Sequence, residues 1–233
     1  MAKDLIIALD FPGRDQTLAF LDLFRDEKPY VKIGMELFYA EGPDIVRAVR
    51  DRGHRIFLDL KLHDIPNTVS GAVRSLRGLG VDMMNLHAGG GLAMMRAAAE
   101  ALRDAPGSAP RLIAVTILTS LDQQALREEI WVDRPLEQTV LHYAQNARLA
   151  GLDGVVCSPL EAGRVHEQVG ADFLTVTPGV RFAQGAAGDQ QRVTTPAMAR
   201  ELGADYIVVG RPITKAEDPV YAYRRCMHEF THQ

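Results

Sequence analysis

The feature that most restricts what this chain can fold into is a regular alternation of short β-rich runs with amphipathic helical stretches. The strand-like runs are residues 5–10, 30–34, 56–61, 83–87, 112–118, 154–158, 173–177 and 206–210. Apolar residues recur at helical spacing over 16–25, 43–52, 68–79, 91–103, 136–150 and 161–169, and the segments 196–202 and 216–230 complete the series. A parallel strand pair cannot be closed by a tight turn, so strict alternation predicts parallel strands joined by crossover helices. Eight units predict an α/β fold of the closed (β/α)8, or TIM, barrel kind. The length of 233 residues is close to the roughly 250 typical of that barrel, with a doubly wound open sheet as the alternative. No linker, low-complexity tract or charge block divides the sequence, so residues 1–233 are expected to form one domain.

Composition narrows the function. A net charge of -4 argues against a general binder of nucleic acid or membrane surfaces, which would need a basic face. An anionic small molecule would need a local cationic site. Two cysteines, Cys157 and Cys226, are too few for a disulfide framework and are expected to be small buried hydrophobes. The chain runs directly into an apolar strand without the pattern of a signal peptide. No window reaches the roughly 18 apolar residues of a membrane span. A cytoplasmic location is expected.

The charges inside the strands are the most informative residues. In Leu58-Asp59-Leu60-Lys61-Leu62-His63-Asp64-Ile65-Pro66-Asn67-Thr68, alternation puts Asp59 and Lys61 on one face and the leucines on the other. The leucines suit the layer between sheet and helices, which leaves the charged pair inside the barrel. Buried charge is costly unless paired, and opposite charges two residues apart supply the pairing. Lys32 interrupts an otherwise apolar strand, and Asp10 ends the first one. Such groups at strand C-termini lie on the face where barrels assemble their sites. Asp64 has two readings, a functional group or a cap for the helix that Pro66 begins.

These residues carry a resemblance. Asp59-x-Lys61-x-x-Asp64, set in DLKLHDIPNT, is similar to the signature of the orotidine 5′-phosphate decarboxylases. So, in order, are Ala8-Leu9-Asp10, Val31-Lys32-Ile33-Gly34, Thr116-Ile117-Leu118-Thr119-Ser120, Thr177-Pro178-Gly179-Val180-Arg181 and Val209-Gly210-Arg211-Pro212-Ile213. Together they cover nearly the whole chain and resemble the stand-alone bacterial type.

The resemblance implies loss of CO2 from orotidine 5′-phosphate to give uridine 5′-phosphate, the last step of de novo pyrimidine nucleotide synthesis, with no metal and no organic cofactor. Lys61 is then the proton donor, Asp59 lies by the departing carboxylate and Lys32 completes the charge array. Asp64, Ile65 and Thr68 reach into the neighbouring site of a homodimer. Thr119 matches a position near the base, Asp10 one near the ribose and Arg181 a substrate-binding one. Phosphate sites in such barrels commonly form after strands 7 and 8, which favours Arg211 with the Gly210 amide and Gln190. The carbanion left by CO2 is poorly stabilised by conjugation, and a fixed ammonium would stabilise it without reorganising water.

Other readings were open on the residues. His228-Glu229-Phe230-Thr231-His232 matches the H-E-x-x-H zinc pattern but sits at the last residues, with no third ligand downstream. Gly89-Gly90-Gly91 could cradle a phosphate but lacks dinucleotide spacing and reads as a tight turn; His87 reads as a structural histidine. The sugar-phosphate relatives that share D-x-K-x-x-D carry a magnesium-holding carboxylate at strand 2, where this chain has Lys32. A Schiff-base aldolase needs a lysine that loses its proton, whereas the carboxylates flanking Lys61 favour the charged form. The intact Lys32, Asp59, Lys61 and Asp64 argue against a silent phosphate-ligand binder.

Overall fold

The computed structural model describes residues 3–103, 109–182 and 194–232. Eight parallel strands form a closed barrel: β1 (Asp4–Ala8), β2 (Tyr30–Gly34), β3 (Ile56–Leu62), β4 (Met83–His87), β5 (Arg111–Val115), β6 (Gly154–Val156), β7 (Leu174–Thr177) and β8 (Tyr206–Val209). Closure is direct, since β8 pairs with β1 through Asp4↔Tyr206 to Ile7↔Val209. The open-sheet alternative is therefore excluded. Several strands end earlier than their apolar runs: β1 stops at Ala8, β5 at Val115, β6 at Val156 and β8 at Val209. The residues just beyond leave the ladder and serve the rim.

Helices α1 (Arg14–Leu21), α3 (Pro43–Arg50), α4 (Pro66–Arg77), α5 (Gly91–Arg103), α7 (Leu136–Ala150), α8 (Pro159–Val169), α9 (Pro196–Glu201) and α11 (Pro219–Thr231) fill the expected crossover positions. Their starts follow capping chemistry. The Ser158 side chain accepts from the Leu160 amide, while Glu161 reaches back to the Ser158 amide at 2.8 Å, a capping box before α8. Asp218 caps α11 through the Tyr221 amide, with Pro219 as the first helical residue. That cap moves the start of α11 from the expected 216 to 219. Among the described residues three short helices are additional: α2 (Met35–Glu41), α6 (Gln123–Glu128) and α10 (Arg211–Thr214). Gly89 and Gly90 lie in a 3-10 turn, Ala88–Gly90, leading into α5, as the tight-turn reading expected.

The core has two layers, as strand alternation requires. Inside the barrel lie Ile6, Ala8, Tyr30, Phe57, Met83, Ile113, Val176 and Val208. Leu58 and Leu60 join the larger layer between barrel and helices. At the strand N-termini the Tyr30 and Tyr206 rings meet edge-on, with centroids 6.1 Å apart, and close the lower end. The upper end stays open. Cys157 and Cys226 are both buried, as expected of small hydrophobes. Among the described residues, no helix is long and apolar enough to cross a membrane.

Candidate active site

The open end holds a cavity of about 480 Å³ whose floor is apolar, with Ala8, Phe57, Val115, Val156 and Val208, and whose wall is ionic. β1, β2 and β3 contribute that wall through consecutive registers. Ala8 lies beside Lys32, Lys32 beside Phe57, and Gly34 beside Asp59. Lys32 Nζ is 3.2 Å from Asp10 Oδ1 and 3.3 Å from Asp59 Oδ2, and Lys61 Nζ donates to Asp59 Oδ1 at 2.7 Å. The charges therefore alternate as Asp10, Lys32, Asp59, Lys61.

Burial and pairing compete in this cluster. Burial alone lowers the pKa of Lys32, but Asp59 and Asp10 more than reverse this and leave it raised. Burial pushes Asp59 upward. Lys32, Lys61 and the hydrogen bonds from Lys61 and Asn85 pull it below the usual carboxylate range. Lys32 and Asp59 thus stay ionised through neutrality while largely removed from water.

β3 is not a regular strand here. Leu58 pairs with Met84 and Leu62 with Leu86, so residues 59–61 oppose the single residue Asn85. Within this bulge Lys61 takes a φ of 51°, in the left-handed region. For a residue with a side chain that conformation costs about 1–3 kcal/mol and persists only where surroundings impose it. The imposing contact is visible. Asn85 Oδ1 accepts from the Lys61 amide at 2.8 Å, while its Nδ2 donates to Asp59 Oδ1 at 2.7 Å.

Gly34 makes room for Lys32. Its φ of -91° is open to any residue, but an added Cβ would lie 2.9 Å from Lys32 Nζ. Gly34→Ala is expected to push that ammonium out of line with Asp10 and Asp59. The expected loss in kcat is about tenfold to a hundredfold with little change in melting temperature, as for a displaced group at a reacting centre. Steady-state kinetics beside thermal denaturation checks it.

Across the cavity the rim is cationic. Arg181 follows β7, and Gly210, Arg211 and Lys215 follow β8; Thr119 and Ser120 follow β5. The Val180–Thr194 bridge and the bond from the Arg181 amide to the Thr194 carbonyl, at 2.9 Å, fix the approach to Arg181. One cavity thus brings together Asp10, Lys32, Asp59, Lys61, Thr119, Arg181, Gly210 and Arg211. Gln190 lies outside the described residues.

Asp64, Ile65 and Thr68 do not line this cavity. They are exposed on the segment entering α4. The capping reading of Asp64 is corrected: Ile65 is the N-cap of α4, without a side-chain cap, and Asp64 instead accepts from the Ile65 amide at 2.7 Å. His87 also lies off the cavity wall and packs against His63, with ring centroids 5.4 Å apart. His228 and His232 stack at 4.9 Å, with His232 already past the end of α11. Among the described residues no group of three or more His, Cys, Asp or Glu side chains could hold a metal ion. Asn85, Ser120 and Lys215 were not anticipated. Asn85 did carry a signal, since it shares the inward face of β4 with Met83 and needs partners there.

A closed barrel with lysines and carboxylates alternating at its open end, facing an arginine-bearing rim, defines a (β/α)8-barrel enzyme acting on an anionic small molecule. Comparison with known proteins is more specific. Residues 3–226 match the orotidine 5′-phosphate decarboxylase / HUMPS family. The chain is 54% identical over 233 residues to an orotidine 5′-phosphate decarboxylase of Geobacillus thermodenitrificans (strain NG80-2), covering 99% of this chain and 98% of that protein. One from Bacillus caldolyticus is also 54% identical, with 99% and 96% covered. The crystal structure of orotidine 5′-phosphate decarboxylase from Lactobacillus acidophilus superposes with a TM-score of 0.88 at 43% identity, covering 99% of this chain and 100% of that one. The chain belongs to the orotidine 5′-phosphate decarboxylase family, as a carboxy-lyase of the bacterial type.

Proposed function

We propose that residues 1–233 act as one catalytic domain that converts orotidine 5′-phosphate to uridine 5′-phosphate and CO2 through side chains alone. The observation that carries this reading is the ionic chain Asp10–Lys32–Asp59–Lys61 on three adjacent strands facing one cavity. The bond between the ring carbon and the carboxylate breaks, and its electron pair stays on that carbon. Lys61 Nζ stabilises the developing charge and then transfers its proton there; the amine regains a proton from water. Asp59 lies beside the departing carboxylate and, with Lys32, fixes the ammonium before substrate arrives. Such preorganisation avoids reorienting solvent during the reaction.

The phosphate is assigned to Arg211 with the Gly210 amide, and the usual place of phosphate sites after strands 7 and 8 adds Gln190 to that assignment. Asp10 is assigned to the ribose, Thr119 to the base and Arg181 to substrate binding. Binding energy gathered there is available at the reacting carbon. Arg211→Ala is expected to weaken uridine 5′-phosphate binding by about 2–4 kcal/mol, the scale of a lost charge-assisted contact. Isothermal titration measures it, and unchanged affinity would reassign the phosphate.

We assign Asp64, Ile65 and Thr68 to the site of a second copy in a homodimer. Their exposure, with Ile65 at 67%, and their position off their own cavity support this. A cytoplasmic place in pyrimidine synthesis belongs to the same proposal. The test is CO2 release from orotidine 5′-phosphate by purified, EDTA-treated protein, followed by ultraviolet absorbance. Turnover is expected. Activity restored only by magnesium and a sugar phosphate would move the chain to the other branch and overturn the role of Lys32.

A further inference from the structure

We infer that Asn85 is a positioning residue for decarboxylation, setting where the Lys61 ammonium sits by holding the lysine's backbone and its partner carboxylate together. This rests on the roles of Lys61 and Asp59 proposed above. Asn85 is 1% exposed and faces the single stretch where the β3–β4 ladder is out of register. A buried amide is costly unless both ends are paired. Here the two ends meet two different parts of the ionic cluster, the Lys61 backbone through Oδ1 and the Asp59 carboxylate through Nδ2.

The bulge explains why such a clamp is needed. Bulges next to active sites re-aim side chains, and Lys61 leaves the extended conformation for a φ of 51° at that point. Without the acceptor at Asn85, the lysine backbone is released toward ordinary strand geometry, which swings its Cβ. Without the donor, Asp59 keeps its lysines but loses the contact that fixes the orientation of Oδ1. The groups proposed above for the phosphate and ribose, Arg211 and Asp10, follow other strands, β8 and β1, and the two Asn85 bonds do not involve them. The inference therefore separates catalysis from binding.

Asn85→Ala and Asn85→Asp are the variants to compare with wild type for kcat, uridine 5′-phosphate affinity and melting temperature. A displacement of about 1 Å at a reacting centre costs on the order of 100-fold. Asn85→Ala is expected to lose about that in kcat while product affinity stays within about threefold. Asn85→Asp is the sharper probe. The introduced carboxyl still accepts from the Lys61 amide but donates to Asp59 only when protonated, and ionisation sets it against a like charge. Its kcat relative to wild type is expected to rise at least about tenfold as pH falls from 8 to 5. A wild-type-like kcat in Asn85→Ala, or a relative kcat of Asn85→Asp that does not change with pH, would overturn the inference while leaving Lys61 in its role. Absence of CO2 release by the wild type would overturn the proposed function, and this inference with it.

Discussion

Lys61→Ala is expected to reduce CO2 release from orotidine 5′-phosphate by at least about 10⁴-fold, because in the mechanism proposed above one group supplies both the proton and the charge facing the carbanion. Uridine 5′-phosphate affinity is expected to stay within about fivefold, and the melting temperature within a few degrees. The fold should tolerate the change because Asp59 keeps two partners, Lys32 at 3.3 Å and Asn85 at 2.7 Å. The Lys61 side chain is also a quarter exposed, so its removal leaves no sealed void. Single-turnover kinetics with titration of the product separates the two effects. Near-normal turnover would mean that proton and charge come from elsewhere in the cavity.

Asp64→Ala is expected to be almost inactive for a different reason, one that mixing reveals. If Asp64 serves the partner's site, a dimer of one Lys61→Ala protomer and one Asp64→Ala protomer has one site damaged twice and one site intact. Equal mixing puts half of the protein into such dimers when subunits exchange freely, so about a quarter of wild-type activity should reappear from two inactive preparations. Activity that stays at the sum of the two parents would place Asp64 in its own protomer's chemistry and remove the shared-site proposal. The exposed Asp64 carboxylate, which accepts from the Ile65 amide in its local turn, is consistent with a group awaiting a partner surface.

The sequence and the structure agree most where periodicity is long. α5 and α7 have the bounds that their apolar repeats predict, and all eight strands lie where the β-rich runs placed them. The short helices α2, α6 and α10 offer too few turns for a 3.6-residue period to register. Strand alternation correctly assigned Leu58 and Leu60 to the outer layer and Asp59 and Lys61 to the cavity. It did so on the assumption of a regular strand. The bulge at 59–61 depends on Asn85 across the ladder, and a contact between residues 24 apart leaves no mark on local pattern. The positions of Thr119 and Arg181 were legible through family blocks more than through physics, because a loop residue's direction is set by tertiary packing, whereas Arg211 also followed from the usual place of phosphate sites in such barrels.

Closure of the barrel has a consequence for how copies of the chain meet. Because β8 returns to β1, no barrel strand among the described residues presents a row of unpaired amides and carbonyls. Association by adding strand to strand is therefore closed to this molecule, as is edge-to-edge aggregation of the folded state. The self-recognition that the proposed dimer requires must be written in side chains on helices and rim loops. The partner surface of the proposed dimer is then free to change by single substitutions, while the backbone hydrogen bonding that maintains the barrel stays the same.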